Sequence, residues 1–170
     1  RSSDLLEFSI PSRGLIGFRS QFITDTRGAG IMNKLFDGYA PWFGRIPQRN
    51  TGALISDRRG KVTTYACVNT ADRGELFVSV GTEVYAGMVI GERNKTNDLS
   101  LNITREKKLS NMRSSGSDNT VTVRPPRELS LDQSIEFISD DELVDITPMS
   151  VRLRKLELNQ QKRDAAPTQE

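Results

Sequence analysis

The sequence predicts an α+β protein: half of a β-α-β unit, then a small β-rich body with one clear helix and one long basic loop. Three observations predict it. Residues 13–27 set Leu15, Ile16, Phe18, Phe22 and Ile23 near one face at helical spacing, between two short apolar stretches. From residue 46 onward the apolar runs are brief and are separated by Gly and Pro at close intervals. Residues 104–120 lose apolar periodicity and are rich in Ser, Asn, Arg and Lys, which makes a loop that is long by ordinary standards.

The elements follow in order. Residues 4–10 read as a short strand ended by Pro11, and residues 13–27 as a helix with Gly28 at its C-terminus. Residues 30–43 read as a strand with an irregular exit, broken by Gly38 and Pro41. A full domain of this kind needs earlier strands, so the chain reads as beginning mid-domain. Pro47 and Gln48-Arg49-Asn50 form a polar linker. Leu54-Ile55-Ser56 and Val62-Thr63-Thr64-Tyr65 flank Asp57-Arg58-Arg59-Gly60 as a hairpin. A short helix follows over 66–73, then brief strands at 76–78 and 88–90 with glycine turns between them. Ser130-Leu-Asp-Gln133 is a capping-box pattern opening a helix to about Ile138. Residues 143–146 and 150–154 read as two strands around Thr147-Pro148, and the polar tail from Glu157 as a frayed helix.

Composition narrows the chemistry. The 170 residues contain no histidine and a single cysteine, Cys67, so no Ser-His-Asp triad, Cys-His dyad or structural zinc site can be assembled. One cysteine also excludes an internal disulfide framework, which fits a cytosol-like compartment. No apolar run approaches the roughly 20 residues of a membrane-spanning helix. A G-x-x-x-x-G-K-[ST] phosphate loop is missing from this sequence, so it does not bind GTP by that device. Asp140, Asp141 and Glu142 are neighbours in sequence, and neighbours in a strand point to opposite faces, which is poor geometry for an acid-base pair. A small hydrolase is therefore nearly excluded.

Charge is unevenly placed although the net is only +2. Residues 13–49 carry six cations against two anions, and residues 104–127 repeat that balance. Residues 130–145 carry six carboxylates and no cation, and residues 150–163 return to five cations against Glu157. Alternating blocks make either a polyanion-binding face or a solvated surface whose blocks pair with each other. In the second case the acidic cluster at 140–142 pairs inside the molecule.

The candidate contacts to nucleic acid lie in the basic segments. Arg105, Lys107, Lys108 and Arg113 suit phosphate contact, because Lys and Arg release condensed counterions on binding. Arg113 can also fork onto a phosphate or stack on an unpaired base, and Asn111 can bond to a phosphate or a 2′-hydroxyl. Glu106 puts an anion among them. Alternation along 150–154 sets Arg152 and Arg154 on one face, with Val151 and Leu153 toward the core. Solvated arginines give the same pattern, and both readings stand on the residues alone.

Several motifs resemble one family. Ser12-Arg-Gly-Leu-Ile-Gly-Phe-Arg19, Thr24-Asp-Thr-Arg-Gly28 and Phe36-Asp-Gly-Tyr-Ala-Pro-Trp42 resemble the ferredoxin-like fifth domain of elongation factor G as it occurs in BipA/TypA proteins. Gly81-Thr-Glu-Val-Tyr85, Lys107-Lys-Leu-Ser-Asn-Met-Arg113, Asp141-Glu-Leu-Val-Asp-Ile-Thr-Pro148 and Val151-Arg-Leu-Arg-Lys155 resemble the terminal domain of that family. The resemblance implies a C-terminal piece of a translational GTPase, with residues 1–45 as the second half of a ferredoxin-like domain and 46–170 as the BipA/TypA C-terminal domain. It implies contact with large-subunit ribosomal RNA and the acceptor arm of A-site tRNA, through residues that include 104–120, and a cytoplasmic location. GTP and magnesium would belong to an N-terminal domain outside this chain, so this part is expected to hold no cofactor and perform no catalysis. An unpaired sheet edge in the first unit would allow self-association. The competing expectation is a protein-interaction module that packs on other domains of the same chain.

Overall fold

The computed structural model describes residues 4–44, 49–107 and 123–165. Within 4–44 a 3-10 turn at Ser12–Leu15 precedes the helix α1, Phe18–Asp25. The single helix expected over 13–27 is thus split. Gly17 is the cause: it sits at φ 79°, a left-handed conformation that ends the first turn before α1 begins. The helix also ends before the expected cap at Gly28: α1 stops at Asp25 with Thr26 as its cap, Arg27 already turns left-handed at φ 52°, and the Gly28 N–H donates to the Ile23 carbonyl at 2.8 Å.

The strands expected at 4–10 and 30–43 do not form among the described residues. Both segments have strand-like composition, but a strand exists only through a hydrogen-bonded neighbour, and neither segment has one. Leu5, Phe8, Leu35 and Tyr39 accordingly stand 88%, 81%, 94% and 100% exposed.

The second body is a mixed sheet. Its strands are β1 (Ala53–Ser56), β3 (Gly74–Leu76), β5 (Met88–Arg93), β6 (Leu99–Leu101), β7 (Glu142–Ile146) and β8 (Val151–Lys155). The order is β6-β1-β5-β8-β7, with β3 also on β5. Only β1 and β6 run parallel. One edge of β5 is shared: β8 pairs with Met88 and Val89, and β3 with Gly91 to Arg93. This sharing requires glycine. A Cβ on Gly74 would run into the carbonyl of Glu92, and one on Gly91 into that of Glu75.

Period-2 alternation divides the core between the two faces. Leu54, Met88 and Ile90 pack with Val62, Ala66, Cys67 and Ile103. Ala53, Ile55, Val89 and Leu153 pack with Phe137 on the other face. Helix α2 (Thr64–Thr70) contributes Ala66 and Cys67 to the first core, and α3 (Leu131–Phe137) contributes Phe137 to the second. A separate two-stranded ribbon joins β2 (Gly60–Lys61) to β4 (Glu83–Val84), and α4 (Gln160–Ala165) closes the described chain.

The hairpin expected across residues 57–60 is corrected. The turn is there, but β1 pairs with β5 and β6, and β2 pairs with β4. All four residues of β1 are buried because cores cover both faces of the sheet, and the strand lies between β6 and β5. Val62 to Tyr65 is no strand either, because the Thr63 hydroxyl accepts from the Ala66 N–H and starts α2.

Helix α3 follows its capping box: Ser130 Oγ accepts from Gln133 N–H at 3.2 Å, and Gln133 Oε1 accepts from Ser130 N–H at 3.0 Å. The β7–β8 hairpin also forms as expected, turning at Thr147, whose Oγ1 accepts from the Ser150 N–H at 3.0 Å. Its tip runs beyond the core. Leu153 is buried, whereas Val151, expected to face inward, is 38% exposed beside its register partner Ile146.

Candidate nucleic-acid interface

Alternation along β8 sends Leu153 and Lys155 to one face of the sheet and Arg152 and Arg154 to the other. The two arginines differ in what they have left to offer. Arg154 Nε donates to Asp145 Oδ2 at 2.6 Å across the hairpin, so its charge is largely matched. Arg152 is exposed, donates to Ser150 Oγ at 3.2 Å, and has no ion pair among the described residues. Tyr85 lies near both. Burial pushes its hydroxyl above the ordinary range and the Asp145 carboxylate adds to this, while Arg154 and Arg152 pull the other way.

Arg105 and Lys107 lie elsewhere. They leave the sheet after β6, and β1 and β5 separate that strand from β8. The Thr63 hydroxyl donates to the Arg105 carbonyl at 2.5 Å, and Thr63 N–H donates to the Ile103 carbonyl at 3.2 Å. Both cations are exposed and without an ion pair among the described residues. Lys108, Asn111 and Arg113 lie outside the described residues. The structure therefore brings Arg152 together with Arg154, and Arg105 with Lys107, and keeps the two pairs apart.

The acidic cluster pairs inside the molecule. Glu142, with a fully buried side chain, accepts both forks of Arg49 at 2.7 Å. Lys155, with 2% of its side chain exposed, contacts Asp98, Asp141 and Glu142 at 2.5, 2.7 and 2.9 Å. Arg49 also donates to the Phe137 carbonyl at 2.9 Å and lies over the Phe137 ring at 4.2 Å. Burial lowers the Lys155 pKa, but Glu142 and the hydrogen bonds to Asp141 and Asp98 outweigh it and hold the amine above its usual range. Burial likewise raises Asp98, but the Ala53 N–H, Lys155 and Arg49 outweigh it and hold the carboxyl below its usual range.

Sequence reasoning treated Arg49 as part of a polar linker and missed this role. The only signal was indirect: six carboxylates over 130–145 without a cation require cations from elsewhere in the chain. The carboxylates at 141 and 142 are thus held by ammonium and guanidinium groups.

Two regions, one after the other, match known families. Residues 1–50 match the family described as elongation factor G C-terminus, and residues 51–160 the one described as TypA/BipA C-terminal domain. The chain thus combines an elongation-factor-type segment with a second domain of defined kind. It belongs to the TypA/BipA family. Among its relatives, the large ribosomal subunit assembly factor BipA of Bacillus subtilis (strain 168) is 45% identical over 162 residues, 95% of this chain and 26% of that protein. The protein of that name from Salmonella typhimurium is 48% identical over 164 residues, 95% of this chain and 27% of that one. The Synechocystis protein is 47% identical over 151 residues, 89% and 25% respectively. The chain spans about a quarter of the length of these relatives.

Proposed function

We propose that this chain is the ribosome-docking region of a BipA-type large-subunit assembly factor. The observation that carries the reading is 45–48% identity, over 95% of the chain, to relatives named for that role. In this reading residues 1–45 and 46–170 are two units, and GTP and magnesium are bound by a GTPase domain outside them. Docking is positional, with no chemistry performed by this chain. Exposed cations with no ion pair among the described residues, Arg105, Lys107 and Arg152, meet phosphates of large-subunit RNA, and residues 104–120 reach the acceptor arm of A-site tRNA in the cytoplasm. Arg154 contributes less, because Asp145 already holds it.

The test is salt-dependent binding of the chain to purified large ribosomal subunits, beside a variant with Arg105, Lys107, Lys108 and Arg113 all changed to Ala. Each lost phosphate contact lowers the slope of log K against log salt by roughly 0.7–0.9, so four lost contacts lower it by about 3. An unchanged slope in the variant would remove the basic loop from the interface.

A second reading has its own observation. The exposed apolar residues within 4–44 suit packing against further protein, either another domain or a second copy, although the sheet edge expected there does not form among the described residues. Sedimentation of the chain over a concentration series separates these. A monomer at every concentration removes self-association and leaves packing on another domain.

A further inference from the structure

Five cations gather where two distant segments are fastened together, at the corner of the second body formed by the 57–61 turn and residues 102–107. Gly60 lies so close to Thr104 that a Cβ would collide with its side chain. Asp57 N–H donates to the Leu101 carbonyl at 3.0 Å, and the Thr63 backbone and hydroxyl donate to the carbonyls of Ile103 and Arg105. Within the turn the buried Ser56 hydroxyl donates to the Arg58 carbonyl at 2.8 Å. Within the other segment Asn102 Oδ1 accepts from both the N–H and the hydroxyl of Thr104. The backbone on both sides is therefore fixed before any partner arrives.

The charges on this frame are divided in a particular way. Arg58 is the internal one: its Nε and Nη2 donate to the two oxygens of Asp57 at 3.0 and 2.9 Å. Arg59 and Lys61 on one segment, and Arg105 and Lys107 on the other, are exposed and have no ion pair among the described residues. The neighbouring anions are Glu106 and Glu83, the latter opposite Lys61 in the ribbon register. Asp57 is matched by Arg58, so the corner keeps a net positive charge.

We infer that this corner is a docking surface for the phosphodiester backbone of RNA, with Arg59 and Lys61 as contacts beside Arg105 and Lys107. The inference rests on large-subunit RNA being the partner and adds a contact strand that the basic loop does not contain. Mobile surface lysines lose side-chain entropy on binding, but a frame already held by hydrogen bonds loses no backbone freedom as well. Solvated cations need no such frame. Phosphates spaced along one strand are a linear array of like charge, and two adjoining segments that each hold two exposed cations without an ion pair among the described residues complement such an array.

The experiment compares the chain with an R59A/K61A variant and a charge-preserving R59K/K61R variant, on intact large subunits and on protein-free large-subunit ribosomal RNA. All the changed side chains are exposed, and thermal melting checks that the fold is kept. The expected result is a salt slope lowered by about 1.5 in R59A/K61A on both probes, and a slope kept in R59K/K61R. If wild type binds and R59A/K61A keeps the full slope, the corner is overturned while the ribosome-docking reading stands. If the double variant loses binding to subunits but not to bare RNA, the corner meets a ribosomal protein and the RNA assignment is overturned. If wild type binds neither probe, the docking reading falls and this inference with it.

Discussion

Glu142 is the residue on which most of the buried charge converges. Its carboxylate has no exposure and is shared by Arg49 and Lys155. Glu142→Ala would leave two buried cations short of a partner, so we expect a loss of about 3–5 kcal/mol in urea unfolding. Arg152→Ala, at an exposed position, should shift stability by no more than about 0.5 kcal/mol, while lowering the salt slope of RNA binding. The pair separates a residue that holds the fold from one that offers charge to a partner.

Two neighbours give this network a pH signature. Asp98 has a depressed folded pKa. Its contribution is complete above the ordinary Asp value of about 3.9 and is lost as pH falls through the lower folded value. Lys155 has a raised folded pKa. Its contribution is complete below the ordinary Lys value of about 10.4 and fades as pH rises through the higher folded value. Asp98→Asn should flatten the acid limb of stability against pH and leave the alkaline limb in place. A steep acid limb unchanged in the variant would show that other carboxylates dominate.

Elements governed by local chemistry were legible in the sequence. The α3 capping box, the β7–β8 hairpin and β5 all stand where pattern put them, because a cap, a turn or an apolar run decides each within a few residues. Ser130→Ala should cost about 1 kcal/mol in thermal or urea unfolding, since the cap bond is formed as the sequence implies. Elements decided at long range were not legible. Nothing between residues 54 and 65 says that β1 belongs beside β6, some 45 residues on, and the β-branched run at 62–64 concealed the cap at Thr63. The same division holds for the site. Alternation along β8 placed Arg152 and Arg154 together, but only the cross-strand neighbour Asp145 shows which of them is already matched. At Gly74, a substitution by Ala should cost about 1–3 kcal/mol, because it forces β3 away from β5.

At the scale of the whole molecule, the ionic groups divide into a paired network and exposed cations that stand outside it. The carboxylates at 98, 141 and 142 are drawn into a network with Arg49 and Lys155, while Arg59, Lys61, Arg105, Lys107 and Arg152 remain outside it. This sorting explains how a chain with a net charge of only +2 can present positive patches. Arg152 and the 104–107 segment are separated by two strands and share no hydrogen bond, so their substitutions should add. A variant combining Arg152→Ala with Arg105→Ala and Lys107→Ala should lower the salt slope by the sum of the separate losses.

The strand that carries Lys155 is also the last strand of the sheet to be synthesised. Asp98, Asp141 and Glu142 are all made before the amine that neutralises them, and β5 waits more than 60 residues for the partner of its first half. Contacts of such sequence separation slow folding, because a long loop must close before it is rewarded. A nascent chain paused short of residue 151 therefore keeps one flank of β5 open and its carboxylates hydrated. Pulse proteolysis of stalled chains of increasing length should show resistance rising sharply once residues 151–155 have cleared the exit tunnel.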